Sequence, residues 1–142
     1  MTPQVLCLSG ETVSQLCCLA TALFFEARGE PIEGKELVAN VILNRVEHSS
    51  YPDTVCGVVN QPRQFSYTHE LPRLGMSLNP LNYKDYPDKI AWEESVSVAK
   101  EVLDSGVINP YILMYHADYV DPYWADHYTV SGQVGSHIFY EE

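Results

Sequence analysis

Basic residues are scarce in this chain. Eight Lys and Arg stand against nineteen Asp and Glu, for a net charge of −11. No Lys/Arg run offsets that balance, which excludes a nucleic-acid partner, because phosphate binding needs clustered cations. The same charge supplies no attraction to an anionic surface. Long apolar runs are also missing: none approaches the roughly 18 residues that span a bilayer, so membrane insertion is not expected. The first ten residues, Met1 to Gly10, contain neither a basic n-region nor a long apolar h-region, so no secretory signal is legible. On that reading the protein is made in the cytoplasm and stays there until something releases or carries it.

Metal-ligand patterns are lacking too. Cys7, Cys17, Cys18 and Cys56 form no Cys-x-x-Cys pair, and His48, His69, His116, His127 and His137 show no ligand spacing. No metal or cofactor is therefore expected. Cys17 and Cys18 sit side by side in an apolar helical pattern. They read as buried thiols acting as small hydrophobes, not as a disulfide framework. Repeats, low-complexity tracts and linkers are absent, which leaves the 142 residues as one domain, 1–142.

What is present is an ordinary globular composition, 46% hydrophobic and 19% charged, with ten Tyr. Thr12-x-x-Gln15 reads as a capping box that opens a first helix. Leu16, Leu19, Ala20, Leu23 and Phe24 give it one apolar stripe, and Gly29 and Pro31 stop it. A second helix is predicted from Ile32 or Glu33 to Val46, with Leu37, Val38, Val41, Ile42 and Val46 facing inward and Glu33, Lys35, Glu36 and Arg45 mostly off that stripe. A third is predicted from about Ile90 to Leu103. Between them, from Ser49 to about Asp88, the chain is rich in Pro, Asn, Tyr and Ser, with a short helical turn at Thr54 to Asn60. Tyr111 to His116 and His137 to Glu142 read as short extended segments, separated by an aromatic, polar loop over 118–128.

Glu26 is the residue that periodicity singles out. At about 100° per residue it falls roughly 20° outside the apolar stripe, beside Leu19. A carboxyl partly desolvated at the inner end of a buried helix should hold its proton to higher pH. A proton kept near neutrality is what a general acid needs to release an oxygen leaving group. Periodicity alone leaves open that Glu26 is merely solvated or ion-paired. Glu30, the other carboxyl on this segment, lies one turn further on, past Gly29.

Six collinear blocks then carry a resemblance. They are Glu26-Ala27-Arg28-Gly29-Glu30-Pro31 with Gly34 and Val38-Ala39-Asn40-Val41-Ile42-Leu43-Asn44-Arg45-Val46; Tyr51 to Val59; Gln61-Pro62-Arg63-Gln64-Phe65-Ser66; Met114-Tyr115-His116-Ala117; Trp124-Ala125; and Gly135-Ser136-His137-Ile138-Phe139-Tyr140. Over residues 16–140 the chain resembles the SleB-type cell-wall hydrolases, the family of the spore-cortex-lytic enzymes. The resemblance implies a mainly α (α+β), lysozyme-like or lytic transglycosylase-like domain with a small extended C-terminal part. It implies cleavage of peptidoglycan between N-acetylmuramic acid and N-acetylglucosamine, with Glu26 as the single acid/base. Gln64, Phe65, Ser66, His116, Tyr123 and Trp124 become candidates for substrate binding, and Glu30, Tyr115 and His137 secondary candidates. Spore-cortex members carry a secretory signal and often a wall-binding domain, neither of which is legible here, and the segment from Tyr67 to Pro87 matches no family pattern. A bare domain of this kind suits a bacteriophage lysis enzyme, released from the host cytoplasm through a holin-made opening or carried in a virion to the wall. Two further readings stay open: a virion structural or wall-binding protein that keeps the fold without activity, and a hydrolytic muramidase.

Overall fold

The computed structural model describes residues 15–61 and 86–142. The Thr12 cap, the matched residues Gln64, Phe65 and Ser66, and most of the Pro-rich segment lie outside the described residues. The first helix, α1, spans Gln15–Ala27. It ends where expected: Glu30 N donates to Ala27 O at 3.0 Å, and Gly29 takes a left-handed φ of +94°, which a side chain would resist. Pro31 then leads into α2, Ile32–Val46. The short α3, Val55–Val59, is capped by Thr54, whose hydroxyl accepts from Gly57 N at 2.9 Å. The last helix, α4, runs Tyr86–Ser105, one turn longer at its start than the apolar pattern predicts. Pro87 falls in that first turn, where no amide is required by the helix.

α1 is the central element, packed on α2, α3 and α4. Its Leu19, Leu23 and Phe24 are fully buried with Val38, Val41 and Ile42 of α2 and Trp92 of α4. Phe24 meets Trp92 edge to face, with ring centroids 6.2 Å apart.

The cysteines do not behave as the sequence reading expects. Cys18 of α1 is disulfide-bonded to Cys56 of α3, and Cys17 is disulfide-bonded as well. The thiol expectation failed because the partners lie in different elements. Sequence spacing carries no trace of which cysteines the packing of α1 on α3 brings together.

Lys35, Asn40, Asn44 and Arg45 of α2 are also buried, although they lie off its apolar stripe, whereas Glu33 is exposed. Lys35 is 3% exposed and Arg45 4% exposed. Lys35 Nζ donates to Glu30 O and to Glu94 Oε1, each at 2.6 Å. Asn40 donates to Asn109 O at 2.6 Å and accepts from the amides of Ile108 and Asn109 at 2.7 and 3.0 Å. Asn44 donates to the carbonyls of Asn109 and Ile112 at 2.7 and 2.8 Å, and Arg45 Nε to that of Leu113 at 2.8 Å. One face of α2 thus satisfies the backbone of the segment entering the sheet, which would otherwise be buried unpaired.

Among the described residues the sheet has three strands: β1, Ile112–Ala117; β2, Thr129–Val134; and β3, His137–Glu141. Its order is β1-β3-β2, with both pairings antiparallel. The sequence reading lacks β2. That strand is an edge, largely exposed, and broken by an irregularity between Val130 and Gly132, so it carries no alternating apolar signal. β1 has its own irregularity between Ile112 and Met114, at the residue whose carbonyl Arg45 holds. Such a bulge re-aims the side chains beyond it, which here are Tyr115 and His116. The 118–128 loop contains a 3-10 turn, Tyr123–His127.

Candidate active site

A cavity of about 460 Å³ opens between the end of α1, α2 and the far end of β1. Its walls include Glu26, Arg45, Tyr115, His116, Trp124 and His137, together with Tyr119 and Val120 of the loop after β1. Glu26 reaches it because α1 ends one residue later, so the side chain leaves the packed stripe at the helix terminus. Burial pushes its carboxyl up to about 7, and a hydrogen bond with the Tyr115 side chain opposes part of that rise. A carboxyl in this state is divided between acid and base near neutral pH, the condition for giving a proton and taking one back. Of the described carboxylates, Glu26 alone lines the cavity.

Tyr115 is held by two rings. Its centroid lies 5.0 Å from His137 and 5.8 Å from Phe139, the latter stacked. His137 is 6% exposed. Burial lowers its pKa and the nearby Glu30 and Asp118 carboxylates only partly oppose that, so the ring tends to neutrality. It therefore lines the cavity and packs on Tyr115.

Glu30 does not serve the cavity. Its carboxylate accepts from Ser136 N at 2.8 Å and Ser136 Oγ at 2.5 Å, with His137 Nδ1 at 3.9 Å. Burial alone would raise its pKa, but the Ser136 hydrogen bonds, His137 and Lys35 outweigh it and hold the group below the usual carboxylate range. Glu30, a secondary candidate from the sequence, is not among the residues that line the cavity. It ties the β2–β3 turn to the α1–α2 connection, because Gly29 reverses the chain and turns the side chain away from Glu26.

His116 and Trp124 meet on the opposite wall. His116 Nδ1 lies 2.7 Å from Ala117 O, which can only accept, so Nδ1 carries the hydrogen. In the neutral ring, Nε2 then accepts from the Tyr140 hydroxyl at 2.8 Å. His116 stacks on Tyr140 at 5.3 Å, and Trp124 packs edge-on against His116, Tyr128 and Tyr140 at 5.5, 5.9 and 5.3 Å. The cluster fixes Trp124 at the cavity edge. Tyr123 is not part of it: its side chain is 89% exposed and absent from the cavity wall, because neighbours in a 3-10 turn point about 120° apart.

The sequence reading missed Arg45, Tyr119 and Val120. Arg45 lies beneath the cavity with its guanidinium 5.2 Å from the Tyr51 ring centre, and burial lowers its pKa. In the sequence, the asparagine and arginine positions of α2 stand only as part of the family pattern. Their polarity within a buried helix was the available signal.

Glu26 is thus a largely desolvated carboxyl beside Tyr115, at the end of the central helix and facing the small sheet. The chain belongs to the Cell Wall Hydrolase family, whose model matches residues 29–140; Glu26 lies just ahead of that stretch. It is 46% identical over 65 residues to a spore cortex-lytic enzyme of Oceanobacillus iheyensis, covering 46% of this chain and 24% of that protein. It is 48% identical over 48 residues to the spore cortex-lytic enzyme of Bacillus subtilis, covering 34% of this chain and 16% of the relative. The matched part thus spans about a quarter or less of these relatives. Among solved structures, the catalytic domain of the germination-specific lytic transglycosylase SleB from Bacillus anthracis superposes with a TM-score of 0.70 at 27% identity, covering 93% of this chain and 98% of that one. The catalytic domain of Bacillus cereus SleB gives 0.62, also at 27% identity, covering 89% of each. The fold is the lysozyme-like α+β fold of these domains, as the sequence resemblance implies.

Proposed function

We propose that this protein cleaves the glycan strands of peptidoglycan as a lytic transglycosylase, with Glu26 as its single acid/base. The observation that carries this reading is the Glu26 carboxyl, raised to about 7 in a cavity with no second described carboxylate. Glu26 first protonates the oxygen joining N-acetylmuramic acid to N-acetylglucosamine. As a carboxylate it then takes the proton of the muramic 6-hydroxyl, which closes an anhydro ring. That sequence needs one carboxyl, whereas retaining and inverting hydrolysis need a pair. Tyr115 positions Glu26, and Trp124 and His116 bound the sugar-binding wall.

The disulfides support a site of action outside the cytoplasmic membrane, since thiols stay reduced in most cytoplasms. For a bacteriophage enzyme made in the host cytoplasm, release through a holin-made opening or carriage in the virion would bring the chain to the wall.

Mass spectrometry of products from purified peptidoglycan tests the reading. Anhydro-muropeptides from the wild type, lost in Glu26→Gln by roughly 10²-fold or more, are expected. Reducing-end products would move the chemistry to hydrolysis. A folded wild type that releases nothing from several wall types would leave a structural or wall-binding role.

A further inference from the structure

Two exposed apolar side chains stand at the mouth of the cavity. The Tyr119 side chain is 85% exposed and Val120 44% exposed, yet both line the cavity that holds Glu26. Apolar side chains exposed beside a cavity are surface that a bound ligand can cover.

The backbone beneath them is anchored. Asp118 N donates to Ser136 O at 2.7 Å and Val120 N to Ala117 O at 3.1 Å, which ties the segment to the β2–β3 turn and to the end of β1. Gln133 Nε2 donates to Asp118 Oδ2 at 3.2 Å. Ala125 N donates to Pro122 O at 3.1 Å, closing the 3-10 turn behind them. The ring is thus presented on a held loop, and binding there forfeits little backbone freedom.

Charge decides what it receives. Asp118 and Asp121 flank the pair and are exposed, and no Lys or Arg occurs anywhere from residue 101 to residue 142. Arg45, the one Lys or Arg in the cavity wall among the described residues, is 4% exposed. An anionic group such as a peptide carboxylate would meet repulsion at this lip. A neutral pyranose offers a C–H face to the phenol ring and an acetamido methyl to the valine.

We propose that Tyr119 and Val120 form an entrance platform that seats an uncharged N-acetylated hexosamine ring of the glycan next to Glu26. The proposal rests on the reading of the cavity as the glycan-cleaving site. Stacking there holds substrate and transition state alike, so its loss should raise KM and leave kcat unchanged.

The probe is chitotetraose, a neutral N-acetylglucosamine tetramer, titrated by calorimetry into the Glu26→Gln protein. Adding Tyr119→Ala should weaken binding roughly three- to tenfold, the range of one aromatic contact. Tyr119→Phe should restore it, and Tyr111→Ala, an exposed tyrosine at the other end of β1, should change nothing. With Glu26 intact, Tyr119→Ala should raise the apparent KM on purified peptidoglycan by a similar factor, at unchanged kcat and thermal midpoint. Equal binding and KM in Tyr119→Ala and wild type would overturn the platform. So would a wild type that cleaves peptidoglycan while the Glu26→Gln protein takes up no tetramer, and the cleavage reading would then stand. A wild type that neither cleaves nor binds would overturn both.

Discussion

The burial that suits Glu26 to the proposed acid/base role carries a stability cost. Its pKa in the folded protein is about 7 against an ordinary value of 4.5, so the folded state binds its proton more tightly than the unfolded chain does. Stability from this group is therefore highest below about 4.5, declines between 4.5 and 7, and stays low above that. Glu26→Gln removes the titration. Its thermal midpoint should exceed that of the wild type at pH 8, on the order of 5 °C, and match it near pH 4, as differential scanning calorimetry would show. Tyr115→Phe tests the partner. Its hydrogen bond lowers the Glu26 pKa, so without it the alkaline limb of the pH–rate profile should move upward. The rate at the optimum should also fall, since the carboxyl loses its orientation. An unmoved alkaline limb would show that the hydroxyl does not act on Glu26.

At the scale of elements, the site depends on two pieces of scaffolding that take no part in chemistry. The first is the polar face of α2, where Asn40, Asn44 and Arg45 hold the backbone from Ile108 to Leu113 and so set the start of β1. The second is the clasp between Glu30 and the β2–β3 turn. Gly135 in that turn has φ +57°, and a Cβ there would overlap Glu30 Oε1 and stand 2.9 Å from Pro31 Cδ. Gly135→Ala therefore meets both backbone strain and steric overlap, together about 2–4 kcal/mol. Chemical denaturation should show that loss. His137, two residues on, should shift with the turn, so peptidoglycan cleavage should weaken as well.

For the whole molecule, the cross-link between Cys18 and Cys56 joins the helix that carries Glu26 to α3, across a sequence separation of 38. Removing a bridge of that reach costs about 2–4 kcal/mol. A Cys18→Ala/Cys56→Ala double variant should unfold at lower denaturant concentration than the wild type, and reductant should narrow the difference between them. Equal midpoints in oxidising buffer would show that the bridge adds nothing.

The helices were legible because their signals are local. The apolar stripe of α1, its stop at Gly29 and Pro31, and the span of α2 can be read from neighbours three and four residues apart. Glu26 was legible for the same reason: its angle from that stripe predicted a desolvated carboxyl at a helix end. Where local signals were faint, the reading stopped short. The β2 edge strand has no alternation to read, and the first turn of α4 precedes its apolar pattern. The sequence by itself thus determined the helical framework and the position of the Glu26 carboxyl at the end of its central helix. Only the tertiary structure decided that Tyr115 bonds Glu26, that Glu30 clasps Ser136, that Arg45 lies under the cavity, that Cys18 pairs with Cys56, and that Tyr119 faces the site while Tyr123 does not. Each of the first four joins residues from different elements. A chain pattern records which face of an element is buried, but it does not record what that face will meet.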